Sequence, residues 1–252
     1  MSIDVHCHLQ DPAFNQDLEG VIQKAKDAGV KAVITSTQSF SEIEEALRIT
    51  TRYPNYVYLT VGCSPTLFDR GEIERIQGFI RGNRDKVVGI GEVGLDYYWE
   101  KNRRELQVEL FKEWIALAKE VNLPLIVHSR SAGKYAIELL LSSPPQKVVL
   151  HAFDGKIGWA KMGEEAGFKF SIPASIALSR QRLKLVSMLG INSMLLETDS
   201  PVLSPLRGER NEPCNLKYAL EKVSEIKKLS HQEAEKIMTE TALNFFKLVY
   251  VS

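Results

Sequence analysis

Short runs of β-branched and apolar residues alternate with longer amphipathic stretches from one end of the chain to the other. This alternation limits the fold more than any other feature. The runs are Ser2–His6, Val30–Ser36, Tyr56–Gly62, Lys86–Glu92, Leu123–His128, Lys147–His151, Phe168–Ile172 and Ser193–Asp199. Each is nearly continuous in apolar residues, which is how a strand buried on both faces reads. Between them lie helical patterns. One around Val21, Ile22, Ala25 and Ala28 stops at Gly29. The longest, from about Arg103 to Val121, puts Leu106, Leu110, Phe111, Trp114, Leu117 and Ala118 on one face. Strand–helix alternation repeated eight times leaves two architectures, a closed barrel or a doubly wound open sheet.

No GxGxxG follows the first run and no GxxxxGK precedes a Ser or Thr, which weakens the nucleotide-binding open sheet. The expected fold is therefore α/β, a (β/α)8 TIM barrel. After the eighth strand, Pro213–Lys227 and Ser230–Val249 read as extra C-terminal helices, and Ser230 and Glu233 have capping-box spacing. The 252 residues contain no low-complexity segment, linker-like stretch or short internal repeat, so one domain over residues 1–252 is expected.

Lys plus Arg (32) balances Asp plus Glu (32), which excludes a histone-like binder that holds DNA by global charge. Any DNA binding is expected to be local and transient. Cys7, Cys63 and Cys214 are widely spaced and form neither a disulfide framework nor a zinc motif. The opening MSIDVHCHLQ has no signal-peptide character, and no apolar run approaches the ~20 residues of a membrane span. The expectation is a cytoplasmic protein without a membrane or an obligate protein partner.

Histidines and acids cluster at the ends of the expected strands: His6 and His8 at the first, Glu92 at the fourth, His128 at the fifth, His151 at the sixth and Asp199 at the eighth. In a barrel these ends converge on one face. His6 and His8 share a side of an extended strand, and paired imidazoles suit zinc or another divalent transition metal. An HxH pair alone fits two unrelated polar residues equally well; three further strand-end ligands favour metal. Glu92 lies among Gly89, Gly91 and Gly94, which leave room near the axis, and a carboxylate can bridge two ions. Asp199 can hold a metal and accept a proton from water. Glu197 either supports these ligands or sits in an interior salt bridge. Cys7 should face the barrel wall, and His231, at the start of a terminal helix, should be solvated.

These residues resemble the TatD family of metal-dependent deoxyribonucleases within the metallo-dependent hydrolase superfamily. The matching stretches are IDVHCHL, GIGEVGLDYY, LPLIVHSRSA, HAFDG and ETDSPVLSPLRGERNEP, in family order, with TALNFFKL near the end. The resemblance implies the same barrel. It also implies two divalent ions (Zn, Mn, Co, Fe or Mg), one held by His6, His8, Glu92 and Asp199, the other by Glu92, His128 and His151. A glutamate at the fourth strand, in place of a carboxylated lysine, fits this branch better than a dihydroorotase-like one. The family usually carries a GxHP-like element after the third strand. Here VGCSP puts Cys63 where that histidine is expected, which leaves its share in substrate binding open.

The expected reaction is hydrolysis of DNA phosphodiesters by a metal-activated water, with 3′ ends of single-stranded DNA as the favoured substrate. Glu92 and Asp199 are the expected catalytic carboxylates. Arg130 and Arg207 either grip phosphate or are solvated loop charges, and Asn211 supports the same loop. Tyr97, Tyr98 and Trp99 either stack on an unpaired base or form an apolar lid, and the lid reading is stronger for Trp99. Two alternatives stay open: an ester or amide hydrolase, such as an aminoacyl-tRNA deacylase, and a catalytically silent scaffold.

Overall fold

The computed structural model describes residues 2–249. Eight parallel strands alternate with helices: β1 (Ser2–Cys7), α1 (Leu18–Asp27), β2 (Val30–Ser36), α2 (Ile43–Arg52), β3 (Val57–Val61), α3 (Arg70–Gly82), β4 (Gly89–Gly94), α4 (Arg104–Val121), β5 (Leu125–His128), α5 (Gly133–Ser142), β6 (Val148–His151), α6 (Ile157–Glu165), β7 (Lys169–Pro173), α7 (Arg180–Met188), β8 (Met194–Glu197), α8 (Leu216–Lys227) and α9 (His231–Phe246). The strands pair in chain order. β1 closes the ring onto β8 at Asp4 and Leu196, so the sheet is a barrel and not an open wound sheet.

Side chains alternate across each strand, so one set of residues lines the barrel and the other packs under the helices. The outward set, with Val33, Leu59, Val93, Val127, Leu150 and Leu196 among it, joins the helix faces in the larger core. The inward set changes character along the axis. Towards the amino ends it is apolar: Ile3, Val5, Ala32, Ile34, Ile126, Val149 and Leu195 form a separate cluster, with Ala242, Phe245 and Phe246 of α9 packed in it. Two residues further along their strands, Ile34, Ile126 and Leu195 give way to Ser36, His128 and Glu197, and Val149 to His151. The barrel thus has an apolar floor sealed by α9 and a polar upper layer.

Helix ends match their sequence signals. Gly29 follows α1 at φ +82°, and Ser230 with Glu233 forms a complete capping box on α9. Both helices expected after β8 are present. The segment after β8 begins its helix at Leu216, after a 3-10 turn at Pro213–Asn215, and α8 completes the strand–helix alternation. Only α9 is additional among the described residues. β4 runs from Gly89 to Gly94, because its pairing with β3 begins at Gly89; Glu92 therefore lies within the strand and not at its end. Lys86 instead closes a turn onto Asn83.

β4 owes its close approach to its neighbours to missing side chains. A Cβ on Gly94, at φ +144°, would lie 2.1 Å from the carbonyl oxygen of His128. On Gly62, at the end of β3, one would lie 2.6 Å from the carbonyl oxygen of Glu92. Neither contact is sterically possible, so the backbones carrying Glu92 and His128 can sit this close only with glycine.

Candidate metal centre

The carboxyl ends of the strands bring together every residue expected to ligate metal. His6, His8, Glu92 and Asp199 form one group and Glu92, His128 and His151 another, with the possible ligand atoms of each group all within 4.8 Å of one another. Glu92 belongs to both. It is almost wholly buried, with Oε2 at 2.9 Å from His6 Nε2 and 3.4 Å from His151 Nε2, and Oε1 at 3.8 Å from His128 Nδ1. Asp199 Oδ1 lies 3.5 Å from His6 Nε2 and 3.4 Å from His8 Nε2.

The surrounding residues fix which nitrogen of each ring faces the centre. His8 Nδ1 donates to the carbonyl of Ser36 at 2.8 Å, so Nε2 is the nitrogen that faces Glu92 and Asp199. His6 Nδ1 lies 3.0 Å from Ser36 Oγ, itself 2.5 Å from Thr60 Oγ1. Its buried Nε2 has no hydrogen-bond partner, because the close Glu92 oxygen lies off the ring N–H direction. Glu197 Oε1 accepts from Ala152 N at 2.8 Å and Oε2 from Ser171 Oγ at 2.5 Å. Its Oε2 also lies 3.8 Å from His151 Nδ1, within ion-pair range but beyond hydrogen-bond reach. Glu197 thus stands behind His151, on the side of the ring away from Glu92.

The loops leaving these strands turn sharply. Ser131, Ala152 and Asp199, beyond β5, β6 and β8, all have left-handed φ values of +55°, +42° and +58°. Asp199 is held there by its N–H donating to the His6 carbonyl at 2.9 Å and by Val202 N donating to its own carbonyl at 3.0 Å. Asn211 Nδ2 clamps the carbonyls of Thr198 and Val202 at 2.7 and 2.9 Å.

Burial and charge set the protonation. Burial, with His151 nearby, keeps His6 below the usual histidine range, so it is a neutral donor. For His8 burial works against the cation, but the Asp199 and Glu92 carboxylates win and raise it to about 9. For His151 burial is likewise outweighed, here by Glu197 and Glu92, and the ring rises to about 10. Burial alone would raise Glu92 and Asp199; the imidazoles around them hold both down, Glu92 well below its ordinary value.

These residues fit divalent cations. Mixed imidazole and carboxylate donors are the ligands such ions take, and the buried Nε2 of His6, beside the Glu92 and Asp199 carboxylates, has no hydrogen-bond partner among the described residues. Without metal, protons on His8 and His151 supply the positive charge. Metal uptake should therefore release protons, and affinity should rise with pH up to about 9–10. A raised histidine stabilises the fold fully below its unfolded value of about 6.5 and loses that contribution as pH passes its folded value. The chelator-treated protein should thus lose thermal stability progressively as pH rises from about 6.5 to about 9–10, and the loss should vanish with metal bound. Melting curves across pH with and without metal check this; parallel curves would contradict it.

The centre opens into a cleft of about 960 Å³. The substrate contacts expected from sequence fall on both sides of its boundary. Arg130 lines it, its guanidinium 4.1 Å from the Tyr98 ring centroid and 5.4 Å from that of Trp99. Trp99 lines it too and is 66% exposed, so it is an open face and not a packed lid. Tyr98 is exposed behind Arg130, whereas Tyr97 is buried against Tyr135 and Arg104 and does not reach the cleft. Cys63 also turns away: it is buried in a small crevice beside Trp114 and Gln107, its thiol pushed up to about 12 by burial. The next residues, Ser64, Pro65 and Thr66, reach the cleft instead. Arg207 is exposed on the β8–α8 loop away from the cleft lining, and Asn211 is wholly buried as the loop clamp. His231 is exposed and Cys7 is packed in the wall, with Sγ 3.6 Å from the Ile34 carbonyl.

Three cleft residues escaped the sequence reading. Asp96 Oδ2 lies 3.0 Å from His128 Nε2, while its Oδ1 accepts from the N–H groups of Tyr98 and Trp99 at 2.9 and 2.8 Å. It was in view within GEVGLDYY, four residues after Glu92. Gln38 donates to Glu92 Oε1 at 2.8 Å, and Arg182 lines the far wall. Neither belongs to a recognisable motif.

A closed parallel barrel with this histidine–carboxylate cluster at its carboxyl mouth defines a metal-dependent hydrolase of the (β/α)8 class. The chain belongs to the TatD related DNase family, whose model matches residues 3–247. It is 38% identical over 257 positions to the human (Homo sapiens) deoxyribonuclease TATDN3, covering 97% of this chain and 94% of that protein. It is 33% identical over 247 positions to the metal-dependent hydrolase MJ1582 of Methanocaldococcus jannaschii, covering 97% and 96%. The crystal structure of YjjV, a TatD homolog from Escherichia coli K12, superposes with a TM-score of 0.91 at 26% identity over 98% of both chains.

Proposed function

We propose that the chain is a deoxyribonuclease that removes nucleotides from 3′ ends of single-stranded DNA with two divalent ions, and that it works as one domain over residues 1–252. The observation that carries this reading is Glu92, a single buried carboxylate shared by two ligand clusters. His6, His8, Glu92 and Asp199 would hold one ion, and Glu92, His128 and His151 the other. Two ions held there would lower the pKa of a water, direct it in line and neutralise charge on the phosphoryl oxygens.

The chain's own groups do the rest. Asp199 accepts the proton of the attacking water, from a loop held in a left-handed turn so that its carboxylate faces His6 and His8. Glu197 and Asp96 hold the rings of His151 and His128 in place from behind. Arg130 meets phosphate, and the exposed face of Trp99 beside it stacks on a terminal base. A cleft of this size suits a frayed or single-stranded end better than a duplex. With formal net charge of +0, binding is local and transient. Among the described residues no helix is long and apolar enough to cross a membrane, and the neutral surface and free thiols suit the cytoplasm.

The test is cleavage of single-stranded DNA labelled at either the 5′ or the 3′ end by chelator-stripped protein with one added metal at a time. Stepwise shortening of the 5′-labelled strand and early release of the 3′ label are expected, both abolished by chelator. Internal cuts would replace the exonuclease reading with an endonuclease. Intact DNA beside hydrolysis of carboxylic esters by the same sample would move the function to ester or amide substrates.

A further inference from the structure

Several arginines outside the cleft are paired with carboxylates: Arg70 holds Glu113 at 2.7 Å, Arg81 holds Glu120 at 2.7 Å, and Arg210 holds Asp17 at 2.6 Å. Two arginines lining the cleft have none among the described residues. Arg182, in the first turn of α7, is half-buried; its Nη1 donates to Ser175 Oγ at 3.3 Å, and its buried Nε has no partner. Arg130 stands at the same cleft with only aromatic faces beneath its guanidinium. We propose that Arg182 and Arg130 form a two-guanidinium fork that grips the anionic oxygens of the substrate's phosphate beside the His128–His151 cluster. This rests on the phosphodiester reading above and adds a residue to it.

Several observations support the fork. A partly buried guanidinium with an orphaned donor is costly unless an anion meets it. Among the described residues no carboxylate forms an ion pair with Arg182. Glu197 is engaged by Ala152 N and Ser171 Oγ, Asp154 by Ser131 N, and Asp199 by His8, so each reaches Arg182 only at a distance. Burial, with Arg130 as a like charge, holds Arg182 below the usual arginine range, as expected for cations facing a common space. Its position is also built. Ser179 Oγ accepts from Arg182 N at 3.3 Å, and Gln181 Nε2 donates to the Gly155 carbonyl at 2.7 Å, tying the start of α7 to the loop beyond β6. That loop carries Asp154, between the strand ends of His151 and the helix of Arg182. A phosphate with one oxygen near the metal ligands can direct another to either guanidinium in a charge-assisted bond.

The experiment compares wild type, Arg182→Gln and Arg182→Lys, each loaded with metal and assayed for metal content. Two probes are titrated: a single-stranded phosphorothioate oligodeoxynucleotide, which keeps its charge but is cut slowly, and inorganic phosphate. Equal metal content is expected, with both probes bound about 10-fold or more weakly by Arg182→Gln. The slope of log affinity against log salt for the oligonucleotide should fall by about 0.7, and Arg182→Lys should restore it. Unchanged affinity and slope in Arg182→Gln, or a loss that merely follows lost metal, would overturn the fork. If phosphate binding depends on Arg182 while wild type neither binds nor cuts DNA, the anion fork stands and the DNA reading fails.

Discussion

Glu92→Ala is expected to lose bound metal and hydrolytic activity together, with the rate falling by about 10³-fold or more. Each other candidate ligand serves one cluster, whereas Glu92 serves both, so one substitution removes a donor from two sites at once. What remains among the described candidates is four imidazoles and the Asp199 carboxylate, too little negative charge to outcompete protons or to hold two cations. The fold should survive, because the carboxylate lies in the polar upper layer and accepts from the Gln38 side chain rather than from a backbone group. Glu92→Gln separates shape from charge: it keeps the packing but loses the anion, and it should resemble the alanine variant in metal content. Metal analysis, activity and a thermal melt on the same preparations decide the matter. An alanine variant with wild-type metal content and rate would remove Glu92 from the centre.

Gly94→Val is expected to destabilise the protein by about 3 kcal/mol or more and to disable the second cluster. The added Cβ would lie 2.1 Å from the His128 carbonyl oxygen, at a φ of +144° that a β-branched residue cannot adopt without strain. β4 pairs with β5 at Gly94 and His128, and Leu95 N donates to that same carbonyl at 3.0 Å. Relief of the clash therefore moves the backbone that carries a candidate ligand. Gly78→Ala is the contrast. Gly78 lies in α3 with nothing within 4 Å of an added Cβ, so alanine should raise stability by about 0.5–1 kcal/mol. Urea denaturation of the two variants measures both signs. Wild-type stability and metal content in Gly94→Val would show that β4 and β5 can separate without cost.

Most of the barrel was legible because buried parallel strands write themselves as apolar runs. β2 matches its expected bounds, and β5 and β6 end at the expected histidines. β4 was displaced because glycines carry no hydrophobic signal, yet glycine is what its close packing requires. The outer substrate contacts were the least legible. Tyr97, Tyr98 and Trp99 are adjacent in sequence, but the turn after β4 sends Tyr97 inward and leaves Trp99 on the cleft. In the same way the loop after β3 buries Cys63 and presents Ser64–Thr66.

By itself the sequence determined the alternation of elements and the identity of the six metal-ligand candidates, since both depend on residue type at a local spacing. His6, His8, Glu92, His128, His151 and Asp199 could be picked out because each stands at or near the polar end of an apolar run. The tertiary structure decided what depends on distance across the ring. It made Glu92 common to both clusters, put Asp96 and Glu197 behind the histidines, and brought Arg182 to the cleft with no ion pair among the described residues. The physical reason is closure. Once β1 pairs with β8, the pleat sends alternate residues of eight separate segments to one axis, and contacts on that axis have no trace in local sequence.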